Sequence, residues 1–188
     1  MDAEFAVPQW SFRESHYDFV DLNTIFVIYR QQGIAYTGLI RLEDHSLQTL
    51  ALSYTDYESV VCSQHKAWFL AASPETFPSV IEYDLEQQTQ TVLKKANRLE
   101  LDPGFISVGE AVSFPVNQHE QAHAFFYRPQ NRDFVGTDNE KPPLLVISHG
   151  GPTGQSQNGL KMVVQFFTSR GFAVLDVKYG GSRGYGRD

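Results

Sequence analysis

The residues best suited to chemistry in this sequence are the segment HGGP at 149–152, which follows the apolar run LLVIS at 144–148. Acyl transfer develops negative charge on a carbonyl oxygen, and a backbone N–H directed at that oxygen stabilises it by about 2.7–4 kcal/mol. A glycine turn after a central strand can supply such donors. The pattern predicts that the Gly151 N–H is the donor of an oxyanion hole and that Gly150 supports the turn. A simple glycine-rich connection between a strand and a helix is the alternative.

A second segment, GGSRG at 180–184, matches the G-x-S-x-G pattern of a hydrolase nucleophile letter for letter. A nucleophile elbow needs a strand before the serine and a helix after it. An apolar run precedes Ser182, but glycines flank Tyr185 on both sides, and glycine is a poor helix former. We therefore predict that Ser182 is a decoy and not a nucleophile.

The histidines offer little further chemistry. His149 is a poor candidate for a catalytic base, because α/β hydrolases place the histidine after the serine and the acid in chain order. His119 and His123 lie in a predicted hairpin and are expected to be ordinary turn and strand residues. The histidines show no metal-ligand spacing such as HExxH, so we expect neither a metal nor another cofactor.

The glycine segments need a strand–helix–strand unit to position them. The run at 144–148 is short and continuously apolar, which is typical of a buried parallel strand. A helix is predicted over 159–170, and Gly171 follows it as a natural stop. The run FAVLDV at 172–177 reads as the next buried strand, parallel to the first with a right-handed crossover. The predicted apolar face of the helix, expected to pack on the sheet, comprises Leu160, Val163, Val164, Phe166 and Phe167.

The N-terminal half has a different texture, with short alternating apolar runs separated by turn-prone groups. This pattern predicts an antiparallel meander. Its strands are expected at 24–29, 34–42, 59–63, 67–73 and 79–85. The segment 39–50 resembles 81–93 and the segment 25–30 resembles 67–72, an offset of about 43 residues, which is the size of a β-propeller blade. Two blades cannot close a ring, so their edges would stay unpaired.

A turn at 102–104 marks the expected crossing point between the halves, and a hairpin is predicted from 108–116 and 122–129. The net charge of −7 and the pI of about 5.3 leave no basic patch for nucleic acid. Cys62 is the single cysteine, so no internal disulfide forms, and we expect it to be a buried strand residue. No apolar run approaches a membrane span, and the acidic N-terminus does not resemble a signal peptide. We therefore expect a cytoplasmic protein.

With these motifs in hand, the chain resembles the serine peptidases of the prolyl oligopeptidase family, and most closely the acylaminoacyl-peptidase branch. The resemblance rests on SHGGPTG at 148–154, SRGFAVLDVKYGGSRGYGR at 169–187, VGEAVSFP at 108–115 and FAVPQWSF at 5–12. The second of these is the most specific, although Gly180 stands where the family usually has an arginine.

This resemblance implies a mixed fold, in which the C-terminal blades of a β-propeller are followed by the N-terminal part of an α/β-hydrolase domain. Residues 1–100 would contribute about two blades, and residues 101–188 would begin the hydrolase domain. The propeller would limit access to short peptides. The resemblance also implies that Gly151 donates to the oxyanion and that the Ser-Asp-His triad follows beyond Asp188, so we expect this chain to be inactive alone.

Two alternatives stay open. The chain could be a small esterase that uses Ser182 with Asp176 and His149. It could instead be a non-catalytic remnant or binding module that associates through its open sheet edges. We further expect the isolated chain to be marginally stable or prone to self-association, since the apolar faces of the two parallel strands would lack cover.

Overall fold

The computed structural model describes residues 3–7, 12, 14–118, 120–151 and 154–185. Within these ranges the chain forms three sheets of four strands each, together with one α-helix. The structure is therefore mostly β. The expectation for His119 and part of the resemblance at 5–12 lie outside the described residues.

The first two sheets are antiparallel meanders that follow each other in the chain. The first contains β1 (Tyr17–Phe19), β2 (Thr24–Gln31), β3 (Ile34–Arg41) and β4 (Leu47–Leu50). The second contains β5 (Asp56–Ser63), β6 (Lys66–Ser73), β7 (Thr76–Asp84) and β8 (Thr89–Lys95). All five strands predicted in this half are confirmed, and the second, third and fourth strands of each sheet begin 42 residues apart.

Tight turns set the register of these sheets. Two-residue hairpin loops favour turns in which both central residues have positive φ, because that twist matches the flanking strands. Between β2 and β3 the central residues are Gln32 at φ 51° and Gly33 at φ 75°. Between β5 and β6 they are Gln64 at 49° and His65 at 59°.

One apolar core joins the two meanders. Phe26 of β2 stacks on Phe69 of β6 with ring centroids 5.6 Å apart. Ile28 and Tyr57 are also buried in this cluster, and Cys62 packs against it from a partly buried position. The two sheets therefore form one packed unit, and the burial of Cys62 is only partial.

The third sheet contains β9 (Glu110–Pro115), β10 (Gln121–Tyr127), β11 (Leu144–Ser148) and β12 (Ala173–Lys178). Its spatial order is β11-β12-β10-β9. β11 and β12 are parallel, and β9 and β10 pair as an antiparallel hairpin. The predicted hairpin, both predicted strands and their parallel pairing are confirmed, but only β12 is buried, since no residue of β11 is.

The helix α1 (Met162–Thr168) is shorter than predicted. It starts late because Lys161 is still extended and because the Leu160 N–H donates to the Ser73 carbonyl of the second sheet at 2.9 Å. Leu160 is buried there, ahead of the helix. Val163 and Phe166 are 55% and 51% exposed, so the prediction that they pack on the sheet was wrong.

Two apolar residues of the predicted helix face do reach the sheet. Val164 is buried and Phe167 partly buried, and both pack in a small core with Phe125, Tyr127 and Val174. The third sheet is thus covered on one face by α1. On the opposite face Leu144 and Val146 are 54% and 57% exposed.

Candidate functional site

The candidate site lies at one edge of the third sheet. β11 and β12 are parallel, so their carboxyl ends meet at the same edge. β11 leads there into His149, Gly150 and Gly151, and β12 leads into residues 179–185. The two glycine segments singled out in the sequence are therefore neighbours in space.

The first loop is open and left-handed at its second glycine. Gly151 is exposed and has a φ of +74°, a conformation that favours glycine. A Cβ built at Gly150 or at Gly151 would meet no atom within 4 Å. A Cβ at Gly154 would lie only 2.7 Å from both the Gly150 carbonyl oxygen and His149 Nδ1. The loop is therefore open around Gly150 and Gly151 and crowded at Gly154.

The second loop carries Ser182 directly to His149. Ser182 is buried, and its Oγ lies 2.6 Å from Nε2 of His149. Residues 183–185 continue as a turn with Gly184 at φ +97°. The strand that a nucleophile elbow needs is present, but the helix is absent from the described residues up to 185.

Asp176, the acid considered for an esterase, is engaged elsewhere. Its carboxylate accepts hydrogen bonds from the Ser156 hydroxyl and the Lys161 ammonium, each at 2.5 Å. Ser156 and Asp176 are buried. Asp176 is thus committed to the segment that precedes α1, and His149 has no carboxylate among its described partners.

Tyr179 is a site residue that the sequence reasoning missed. Its hydroxyl donates to the Gly151 carbonyl and lies 3.2 Å from the His149 carbonyl oxygen. Its ring stacks on the His149 ring with centroids 4.2 Å apart and an interplanar angle of 23°. The available signal was its position, directly after a buried strand and directly before two glycines.

Lys178 forms the base of the second loop and is only 2% exposed. Its ammonium lies 3.9 Å from the centre of the Phe125 ring and donates to the Gly33 carbonyl at 3.2 Å. Burial lowers the pKa of Lys178 to about 8. Lys178 therefore ties the third sheet to the hairpin turn of the first.

Further ionisable groups are buried where the first two sheets meet the third. Burial, with help from Arg30, lowers the pKa of His16 to about 4. Burial raises the pKa of Asp56 to about 6, against the opposing effect of Arg30. Arg30 Nη1 lies 3.4 Å from His16 Nδ1, while Asp56 Oδ2 is buried without a hydrogen-bond partner. This junction is therefore polar and charged.

No group of three or more His, Cys, Asp or Glu in the described ranges is placed to hold a metal ion. In the same part of the chain, no helix is long and apolar enough to cross a membrane.

Known proteins match the chain closely in structure. A puromycin-hydrolysing peptidase of Mycobacterium tuberculosis superposes on the whole chain with a TM-score of 0.94 and 27% identity, and the chain covers 29% of it. A puromycin hydrolase superposes on the whole chain with a TM-score of 0.91 and 32% identity, and the chain covers 28% of it. A curated relative, dipeptidyl aminopeptidase BIII of Pseudoxanthomonas mexicana, is 30% identical over 125 residues, which make up 65% of this chain and 18% of that protein. A scan against models of protein families finds no match.

The matching proteins are serine peptidases, which are hydrolases by class. The chain is similar over its whole length to peptidases of the prolyl oligopeptidase family. It spans less than a third of the length of the relatives described above. The placement nearest to acylaminoacyl peptidases stays a prediction.

Proposed function

We propose that the chain is the part of a serine peptidase that supplies the oxyanion donor for the hydrolysis of short peptides. The observation that carries this proposal is the position of Gly151. Its exposed loop leaves the carboxyl end of a parallel strand, and the whole chain superposes on a puromycin-hydrolysing peptidase. Oxyanion donors in α/β hydrolases occupy a loop of this kind.

The architecture we propose has two parts. Residues 1–100 contribute about two blades of a β-propeller, which is supported by the two successive four-stranded meanders. Residues 101–188 begin an α/β-hydrolase domain, which is supported by the parallel unit β11–α1–β12 and by the hairpin beside it. A propeller over the site would restrict entry to short peptides.

In the proposed reaction, a serine hydroxyl from another segment attacks the carbonyl carbon of the substrate. The Gly151 N–H donates to the oxygen that becomes negative, with Gly150 supporting the turn. The C–N bond then breaks, the amine leaves with a proton, and water hydrolyses the acyl-enzyme. We propose a cytoplasmic location for this peptidase and no cofactor.

We further propose that the chain alone does not hydrolyse peptides. Ser182 is buried, contacts His149 and is followed by a turn. Asp176 accepts hydrogen bonds from Ser156 and Lys161. Among the described residues, no serine, histidine and carboxylate are linked in the order that a triad requires.

The test uses a fluorophosphonate probe on the product of the complete reading frame that contains this sequence, with the 188-residue chain alongside. We expect the complete product to hydrolyse short peptides and to carry the probe on a serine other than Ser182, as mapped by mass spectrometry. We expect the chain alone to stay unlabelled. A complete product that neither reacts with the probe nor cleaves peptides would contradict the peptidase proposal.

A second candidate, the small esterase, is favoured by one observation, the 2.6 Å contact between His149 Nε2 and Ser182 Oγ. Probe labelling at Ser182 in the chain alone, together with hydrolysis of p-nitrophenyl acetate that is lost in Ser182→Ala, would establish it.

A third candidate, a non-catalytic binding module, is favoured by the exposed apolar face of the third sheet around Leu144 and Val146. Such a module would self-associate through its sheet edges or bind another chain, and it would remain inactive in the complete product.

A further inference from the structure

The loop that carries Gly151 is open around its two glycines. A Cβ at Gly150 or Gly151 would meet no atom within 4 Å, and both residues are exposed. Two adjacent glycines have many accessible backbone conformations. An oxyanion donor nevertheless has to point in one fixed direction before the reaction begins, because its contribution depends on preorganisation. Hydrogen bonds must therefore fix this loop.

The Tyr179 hydroxyl lies against the carbonyl groups on both sides of the donor peptide. It donates to the Gly151 carbonyl and lies 3.2 Å from the His149 carbonyl oxygen, so its single proton serves one of them or is shared. The peptide unit between these two carbonyls is the one that joins Gly150 to Gly151 and carries the Gly151 N–H. Rotation of that unit is limited because the Tyr179 hydroxyl contacts the peptide unit on each side of it.

The His149 ring contacts the Gly150 carbonyl, which lies between the two carbonyls that Tyr179 contacts. Its Nδ1 lies 3.4 Å from the Gly150 carbonyl oxygen, and its Nε2 lies 2.6 Å from Ser182 Oγ. A carbonyl only accepts hydrogen bonds, so Nδ1 has to carry the proton. In a neutral imidazole, Nε2 is then bare and accepts from the Ser182 hydroxyl. A Ser182 hydroxyl that donates to Nε2 would therefore favour the tautomer that can hold the Gly150 carbonyl.

Holding the Gly150 carbonyl sets the direction of the Gly151 N–H. In a planar trans peptide, the C=O of one residue and the N–H of the next point in opposite directions. A hydrogen bond at the Gly150 oxygen therefore directs the Gly151 N–H away from the His149 ring. Gly151 itself is exposed, which leaves room for a substrate at this residue.

Tyr179 and Ser182, which both contact His149, belong to a single turn. The Ser182 N–H donates to the Tyr179 carbonyl at 2.9 Å, and Gly181 between them has a φ of +94°. The Arg183 N–H donates to the Gly154 carbonyl at 3.1 Å, which fastens the turn to the far end of the first loop. Residues 179–182 are thus shaped to present one ring and one hydroxyl to His149.

We propose that Tyr179 and Ser182 are positioning residues that, through His149, fix the direction of the Gly151 N–H. This proposal rests on the proposed role of Gly151 as the oxyanion donor. It gives the segment GGSRG a function in which the serine is neither a nucleophile nor a chance match. The hydroxyl of Ser182 acts on the imidazole, and the hydroxyl of Tyr179 acts on the backbone.

The first test uses the 188-residue chain and needs no activity. Long-range ¹H–¹⁵N correlation spectra at pH 8 report which ring nitrogen of His149 carries the proton. We expect the Nδ1–H tautomer in the unmodified chain and a shift toward Nε2–H in Ser182→Ala. The matched control is Ser53→Ala, because Ser53 is exposed and distant in sequence from both loops. An Nε2–H tautomer in the unmodified chain would overturn the proposal.

The second test measures kinetics in the product of the complete reading frame. We expect Ser182→Ala and Tyr179→Phe each to lower kcat about 10- to 100-fold with little change in KM, because a misdirected donor weakens binding only in the transition state. Tyr17→Phe is the matched control, since Tyr17 is 55% exposed on β1. A kcat equal to that of the control in both variants would overturn the proposed role.

The two tests separate this inference from the peptidase proposal. If the complete product cleaves no peptide, the proposed function fails, and the tautomer of His149 still decides whether the hydrogen-bonded arrangement exists. If the product is active and the tautomer is correct but the variants keep normal kcat, the arrangement exists but does not position the donor, which contradicts our inference.

Discussion

Asp56 and His16 are buried titratable residues whose effects on stability oppose each other. The folded chain binds the Asp56 proton more tightly than the unfolded chain does, because burial raises the pKa of Asp56 to about 6. Asp56 therefore opposes folding at pH 7, and this opposition disappears as the pH falls from about 6 to about 4. His16 acts in the other direction, since its pKa is lowered to about 4. The unfolded chain takes up the His16 proton more readily than the folded chain does. His16 therefore lowers the stability of the folded chain as the pH falls from about 6.5 to about 4.

The substitution Asp56→Asn separates the effect of Asp56 on stability from that of His16. A shift of about two pKa units corresponds to about 3 kcal/mol. We expect Asp56→Asn to be more stable than the unmodified chain by about this amount at pH 7 and to lose that advantage near pH 4, since His16 is present in both proteins. Urea unfolding between pH 4 and 7.5 measures the difference. Asp138→Asn, at an exposed loop position, is the control, and a difference independent of pH for Asp56→Asn would contradict this reading.

Gly154 has less space around it than Gly150, Gly151 or Gly180 in the candidate site. Its Cβ in Gly154→Ala would lie 2.7 Å from His149 Nδ1 and from the Gly150 oxygen. Overpacking of this kind costs about 1–3 kcal/mol. We expect Gly154→Ala to lower the free energy of unfolding by that amount in denaturant titrations. Gly136→Ala, where the new Cβ meets nothing, should change it little, and equal effects in the two variants would show that the crowding is unimportant.

For individual residues, the sequence predicted the local backbone structure better than the contacts between residues. The glycine loop after β11 is present, and Ser182 is followed by a turn as expected. The sequence analysis paired His149 with Ser182 only in the esterase alternative, and it gave Tyr179 no role. Both contacts depend on how two loops separated by about 30 positions face each other, and no local pattern encodes that distance.

Among the elements, the helix α1 depends on a polar residue for its position. The buried Gln165 accepts from the Ser107 N–H at 2.7 Å and donates to the Ser107 carbonyl at 3.0 Å. This pair fastens the helix to the segment that enters β9. A glutamine flanked by valines and phenylalanines gave no sequence signal for such a role.

Loss of this pair should destabilise the chain. In Gln165→Leu, the Ser107 N–H and C=O stay buried without partners, and each unmade bond costs about 1–3 kcal/mol. We expect a loss of about 2–5 kcal/mol in the free energy of unfolding, measured by thermal or urea denaturation. Val163→Ala on the exposed side of the same helix is the control, with an expected change below about 0.5 kcal/mol. A neutral Gln165→Leu would show that water replaces the lost bonds.

The elements themselves were largely predictable. Alternating apolar runs predicted five of the eight strands in the two meanders, since period-two burial is a local property, but not β1, β4 or β8. The helix was predicted three residues too early, because Leu160 is bonded to Ser73 of another sheet and not to the helix. Val163 and Phe166 were misjudged for a related reason, since helical spacing alone does not reveal how much cover a sheet offers.

For the whole molecule, the third sheet is the feature from which we predict self-association in solution. The face that carries Leu144 and Val146 is exposed, and β11 is an edge strand of its sheet within the described residues. Such an edge is a template for pairing with another chain. We expect the average mass in sedimentation velocity to rise with concentration.

Polar substitution on this face should reduce the association. We expect Val146→Thr to lower the concentration dependence while keeping a β-branched residue in the strand. Val163→Thr, at an equally exposed position on α1, is the control. A monomer of constant mass for the unmodified chain would contradict the prediction.

The first and third sheets are linked by backbone as well as by side chains. The Gly33 N–H donates to the Gly184 carbonyl at 2.9 Å, and the Gly184 N–H donates to the Glu4 carboxylate at 2.8 Å. Residues 179–184 are therefore hydrogen-bonded at one end to the hairpin turn of the first sheet, and at the other end they contact the glycine loop. A separation of the first and third sheets would therefore displace residues 179–184, which contact both His149 and the Gly151 carbonyl. Such a separation would also disturb the hydrogen bonds that hold the glycine loop.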